Sequence, residues 1–152
     1  MINRTRLIRQ DVQRLLREDY RQRKEQLTTL PERIATEKAR LTAIRSASAE
    51  AEAVRGGGGN VRQERDTAIL VELDRLRAEL ALAQREVRTI TSILDTLQPM
   101  ERKCVEQMDL SGQRGALDRL CDELGYEKTK VYDIYNSALD AIARLYWGFS
   151  NR

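Results

Sequence analysis

Between Ile69 and Leu97 the apolar residues never lose step. Ile69, Leu73, Leu76, Leu80, Ala83, Val87, Ile90, Leu94 and Leu97 follow one another at alternating intervals of four and three. That rhythm keeps one stripe of an α-helix apolar along its whole length, and only another helix laid beside it can hide such a stripe. The spacing predicts an all-α protein with a helix over 62–97, which at ~1.5 Å per residue would be roughly 54 Å long. With Ile69 at heptad position d, Glu72, Glu79 and Glu86 fall at g and Arg77 at e. Leu70, Leu82 and Ile93 lie off the stripe. One partner helix would not cover them, so a bundle of three or more helices, and self-association, is expected.

The N-terminal half supplies candidate partners. Ile8, Val12, Leu15, Leu16, Tyr20 and Leu27 keep helical spacing over 3–28. Thr28-Thr29-Leu30-Pro31 then predicts an interruption, with Pro31 in the first turn of a new helix, where its missing N–H costs nothing. Ile34, Leu41, Ile44, Ser48 and Ala51 mark the inner face of that helix. Gly56-Gly57-Gly58-Gly59-Asn60 reads as a flexible turn that lets two helices fold back on each other. A phosphate-gripping loop would need a following Gly-Lys-Ser/Thr, which is missing. Residues 1–97 are thus expected to form a coiled-coil oligomerisation region, and 98–152 a second domain.

That second domain opens at Pro99, which stops the long helix. A short helix over 100–110 would turn Cys104, Val105 and Met108 inward. The stretch from Leu117 to Asn136, LDRLCDELGYEKTKVYDIYN, fits two short crossed helices. Leu120, Leu124, Val131 and Ile134 fall where such helices bury apolar groups, Cys121 is small at their contact, and Gly125 suits a bend needing φ > 0. This is a helix-turn-helix pattern, although a plain helical hairpin in a bundle would satisfy the same spacing. The last helix continues through Ala138, Ile142, Leu145 and Phe149, and Tyr146, Trp147 and Phe149 form an apolar cluster expected to pack on the coiled coil or else to bind a partner.

The flanks sharpen the pattern. Leu97-Gln98-Pro99-Met100-Glu101-Arg102 precedes it and Ser137-Ala138-Leu139 follows it. Residues 97–140 resemble the region-four module of bacterial sigma factors, in which a Leu-Pro turn opens a helix ahead of the helix-turn-helix and an Ala-Leu pair closes it. With long charged helices in front, the whole chain is similar to small phage-encoded sigma-like regulators related to the RinA and ArpU types of late-gene activator. The resemblance implies a phage or prophage transcriptional regulator, an activator of late genes, working in the bacterial cytoplasm on double-stranded DNA beside host RNA polymerase. The connection from Leu110 to Leu120 is longer than in that module, and Glu127 stands where a capping Ser is common.

In a helix-turn-helix the second helix reads the groove. Lys128, Thr129, Tyr132, Asp133 and Asn136 would point outward from it, where Lys suits guanine, Asn suits adenine and Thr suits a thymine methyl. Lys130 and Arg119 are better placed for phosphates. Arg4, Arg6 and Arg9 are candidate auxiliary phosphate contacts, or else members of a solvated helix face paired with Asp11, Glu18 and Asp19. The outward face could equally hold a protein.

Charge tempers the DNA reading. Residues 1–24 carry eight Lys/Arg against three Asp/Glu, and 98–152 carry eight against nine, so their balances are +5 and −1. The basic charge is expected at the N-terminus, away from the reading helix, which argues for weak binding by one copy and for an oligomer whose modules raise each other's effective concentration. Catalysis is not expected: histidine is missing, and Cys104 and Cys121 have no companion thiol or imidazole for a metal. They read as reduced core residues, and no cofactor is implied. No signal-peptide core or long apolar run is present, so neither secretion nor a membrane partner is expected. Two other classes compete: a small terminase-like DNA-packaging recognition subunit, whose DNA module usually comes first, and a coiled-coil adaptor that binds no DNA.

Overall fold

The structure, a computed structural model, describes residues 3–55 and 59–148. The chain is all-α: the described residues form helices α1 (Arg4–Arg14), α2 (Arg21–Arg55), α3 (Gly59–Thr96), α4 (Pro99–Val105), α5 (Ala116–Leu124) and α6 (Lys128–Trp147), with no strand among them. Two π-helical stretches, Leu15–Tyr20 and Glu106–Leu110, follow α1 and α4 without a break. No helix of the described residues is long and apolar enough to cross a membrane.

Asn3 starts α1 as a cap, its side-chain oxygen accepting from the Arg6 N–H at 3.3 Å. The π-helical stretch widens the next turn. Positions five apart then share a side, so Leu15, Leu16 and Tyr20 are all buried. The expected interruption at Thr28–Pro31 does not occur: α2 runs unbroken through Pro31. Proline removes one main-chain hydrogen bond and crowds the preceding turn, at ~3 kcal/mol in a helix interior. Burial of Leu30 and Ile34 on either side of it offsets that cost, each side chain contributing roughly 1.5–3 kcal/mol. The expected glycine turn is shorter than read, because Gly59 and Asn60 already belong to α3. Gly56–Gly58 and the side chains of Ser48 and Ala51 lie outside the described part.

The chain divides into two compact units, 24–85 and 1–23 with 86–152. This grouping differs from a boundary at residue 97, because α1 and the end of α3 go with the C-terminal helices. In the 24–85 unit, α2 and α3 pair over Leu30, Ile34, Leu41, Ile69, Leu73 and Leu76, with Ile44 and Leu80 at the margin. Arg33 reaches Glu72 at 3.6 Å and Arg45 reaches Asp66 at 3.4 Å, so partner numbers fall as α2 advances and the two helices run antiparallel. Leu70, Val71 and Leu82 stay exposed on α3, Val71 at 63%.

The other unit buries Val12, Leu16, Ile90, Leu94, Cys104, Val105, Leu120, Val131, Leu139 and Ile142 in one core. Ile93, off the heptad stripe, is also buried here. Burial pushes the Cys104 thiol up, helped by nearby Glu101, and both cysteines are free. At the end of α6, Tyr146 and Trp147 meet edge to face at 5.2 Å, with Trp147 partly exposed. Phe149 lies outside the described residues.

Replacing Pro31 with Ala should test the cost of the proline in α2. The restored N–H can bond the Leu27 carbonyl, and we expect a gain of about 1–3 kcal/mol in urea unfolding. A lower midpoint would show that the ring itself packs.

Candidate nucleic-acid interface

The surface centred on α6 is assembled from four parts of the chain. α5 ends at Gly125, which takes a left-handed conformation (φ 70°) and donates its N–H to the Cys121 carbonyl at 2.9 Å. Nothing lies within 4 Å of where a Cβ would stand at Gly125, so the preference for glycine is one of backbone conformation alone. Leu120 and Val131 are fully buried across the bend, with Leu124, Tyr126 and Ile134 half-buried around them. Glu127 precedes α6 without capping it by a side-chain bond. The loop before α5 is held from two sides. Arg119 donates Nη1 to the Arg114 carbonyl at 2.6 Å, and the Arg21 guanidinium lies so close to Gly112 that a Cβ there would stand 2.7 Å from Nη2.

α6 turns Val131, Tyr135, Ala138, Leu139, Ile142 and Ala143 into the core. Tyr135 is the one polar residue of that buried face. Its hydroxyl donates to the carboxylate of Asp109, both oxygens of which lie at 2.8 Å, and accepts from Gln13 Nε2 at 3.0 Å. Asp109 also accepts from Arg17 Nε at 2.7 Å. Burial dominates at Asp109 and raises its carboxyl above the ordinary range, although Tyr135 and Arg17 both pull the other way. Tyr135 is pushed up by burial and by the facing Asp109. Burial opposes the charge on Arg17, but its bond to Asp109 prevails and the guanidinium is held above its usual value.

The basic N-terminal helix is beside α6, not away from it. Arg9 grips Asp140 with two parallel bonds, Nε to Oδ1 at 2.9 Å and Nη2 to Oδ2 at 2.8 Å. The Asp140 hydrogen bond holds the Arg9 guanidinium up against the effect of burial. From Arg9 to Gln13 along α1, the partner on α6 goes from Asp140 back to Tyr135, so these helices run antiparallel.

No family model, curated protein or solved structure matches this chain.

The expected contact residues do not all lie on one free surface. Lys128, Thr129, Lys130, Tyr132 and Asp133 are exposed on the first turns of α6, and Asn136 is half-exposed beside them. Lys128 stands 3.8 Å from Asp118, and Lys130 lies 6.0 Å above the Tyr126 ring. Arg119 is turned back onto the loop, with Nη2 buried and unpartnered among the described residues. Arg4 and Arg6 are exposed, while Arg9 is committed to Asp140. Asp109, Arg17, Gln13, Tyr135 and Asp140 escaped the sequence reading. One signal was there: Tyr135 lies four after Val131 and four before Leu139, and Asp109 four after Val105, so helical spacing puts both on buried faces.

Tyr135→Phe should expose the energetics of this buried acid. The mutation removes a donor from a carboxyl group whose side chain is fully buried, at a cost of about 1–3 kcal/mol. Because the folded state raises the Asp109 pKa, the native protein binds its proton more tightly than the unfolded chain. The contribution of this acid to stability is therefore full in acid and declines as pH rises through the folded pKa. The phenol matters most to the ionised form, so the penalty should be larger at neutral pH than in acid. Urea titrations of both proteins under the two conditions check this, and equal penalties would mean that Asp109 keeps one charge state throughout.

Proposed function

We propose that this chain is a DNA-binding transcriptional regulator of the phage or prophage kind, an oligomeric activator of late genes acting at a promoter with host RNA polymerase. The α5–Gly125–α6 segment serves as a sigma-region-four-like helix-turn-helix. The observation that carries the reading is that α6 keeps Val131 and Tyr135 inward while Lys128, Thr129, Tyr132 and Asp133 face solvent across its first turns. Side chains of this kind at the start of an exposed helix can enter a major groove and reach base edges. The left-handed glycine at the bend and the buried pair Leu120–Val131 support it.

The exposed side of α3 supports the oligomer in this reading. Its inner stripe is used on α2, and Leu70, Val71 and Leu82 remain open to further helices, as a coiled-coil assembly would require. Linking two or more modest DNA modules raises their joint affinity through effective concentration. Light scattering should give a mass of at least two 17.5 kDa chains. A monomer removes self-association from the proposal.

Specific DNA binding should depend on Thr129, whose side chain supports no core contact. Thr129→Ala should leave the fold intact and cost about 1–3 kcal/mol on the preferred sequence. Lys130→Ala should weaken all sequences alike. Gel shifts with promoter fragments of the parent genome, with and without host polymerase, test both. If neither condition gives a shifted band, the transcription reading gives way to a protein-binding adaptor. A ring of many subunits that binds DNA points instead to a packaging-recognition subunit.

A further inference from the structure

This inference rests on the DNA reading above and gives a task to a cleft that the reading leaves unused. Along the α1 flank of α6, Arg6, Arg9, Gln10, Gln13, Tyr132 and Asn136 line an open cleft together with the N-terminal cap Asn3. No carboxylate lines it. Two of these side chains hold the walls together: Arg9 through Asp140 and Gln13 through the Tyr135 hydroxyl. Among the described residues, the side chains of Arg6, Gln10, Tyr132 and Asn136 make no hydrogen bond or ion pair. Four side chains able to donate therefore line one cleft without a partner among the described residues. The adjoining cleft, which shares Arg9 and Asn136 with it, is mixed in charge: Glu101, Asp133 and Asp140 line it together with Arg9 and Arg144.

We propose that the α1–α6 cleft binds a backbone phosphate of the DNA strand bordering the groove that α6 enters, with Arg6 supplying the charge and Gln10, Tyr132 and Asn136 supplying neutral hydrogen bonds. Phosphate oxygens only accept, and each of these four side chains can donate; a guanidinium adds the stronger, charge-assisted bond. The α1–α6 cleft has no carboxylate in its lining to oppose a phosphate, whereas the adjoining cleft has three, which makes the former the better seat for the strand. Tyr132 and Asn136 thereby position the protein and do not read bases, leaving discrimination to Lys128 and Thr129. Arg9 is a positioning residue: it neutralises Asp140 and holds α1 in place. The arrangement also sets the basic helix α1 beside a C-terminal segment whose own balance is −1.

The test is fluorescence anisotropy with two labelled duplexes, one selected by the protein from a random-sequence pool and one scrambled. Wild type is compared over a salt series with Arg6→Ala, Arg6→Lys, Asn136→Ala and Thr129→Ala, after thermal melts show that each is folded. Arg6→Ala should weaken both duplexes by a similar factor and lower the slope of log affinity against log salt by about one, with Arg6→Lys restoring the slope. Asn136→Ala should also weaken both duplexes equally, whereas Thr129→Ala should weaken the selected one more. A scan of single uncharged methylphosphonate links should find one position whose substitution hurts wild type and is neutral for Arg6→Ala. If Asn136→Ala affects the selected duplex alone, or Arg6→Ala changes neither affinity nor slope, the phosphate cleft is overturned while the Thr129 result still supports DNA recognition. If wild type binds neither duplex at low salt, the DNA reading fails and the cleft proposal with it.

Discussion

Asp109 is the one charged side chain buried among the described residues, at 3% exposure, and the C-terminal unit is organised around satisfying it. A carboxylate taken out of water is costly unless donors replace the solvent. Here the donors come from two distant parts of the chain: Arg17, 92 positions earlier, and Tyr135, 26 later. Gln13 then satisfies the remaining capacity of the Tyr135 hydroxyl. One acid thus locks the N-terminal helix, the π-helical stretch after α4 and the middle of α6 into a single register. Apolar packing of Leu16, Val105 and Leu139 alone would tolerate small slides that hydrogen-bond geometry does not.

The consequence reaches the surface. Because Gln13 and Arg9 are held against α6, the face of α1 carrying Arg6 and Gln10 is presented beside Tyr132 and Asn136. Two adjoining clefts result, one with no carboxylate in its lining and one where Glu101, Asp133 and Asp140 mix with Arg9 and Arg144. Residues 98–152 are net acidic by themselves and would be a poor match for a polyanion. Joined to α1 they gain basic side chains beside α6, with Arg9 on Asp140 and Arg6 in the lining of the α1–α6 cleft.

The 24–85 unit follows a simpler rule. Two long helices cover one apolar stripe each, and Pro31 is tolerated because Leu30 and Ile34 flank it with buried contacts. The off-stripe residues divide according to what packs near them. Ile93 is buried in the C-terminal unit, while Leu70 and Leu82, in the paired segment, stay at the surface. An assembly of more than one chain is the economical way to cover them, which is why self-association belongs with the proposed function.

Much of the helical framework was legible in the sequence. The heptad from Ile69 to Leu97 determined a long helix, since that period suits no other structure. Pro99, Gly125 and the apolar spacing around Leu120 and Val131 marked where helices stop and which sides they bury. The sequence also indicated which side chains open α6, because its spacing turns Val131 and Ile134 inward, although the burial of Tyr135 was not read from it. What it did not show is where distant segments meet. Whether Pro31 breaks a helix depends on the burial won on either side of it. Whether Asp109 is a solvated charge or a buried hub depends on Arg17 and Tyr135 arriving from elsewhere. Likewise, Arg9 reads as a free basic residue until Asp140 is placed against it. Periodicity is a local property and can be read along the chain, whereas pairing across 131 positions is decided only when the tertiary structure brings Arg9 to Asp140.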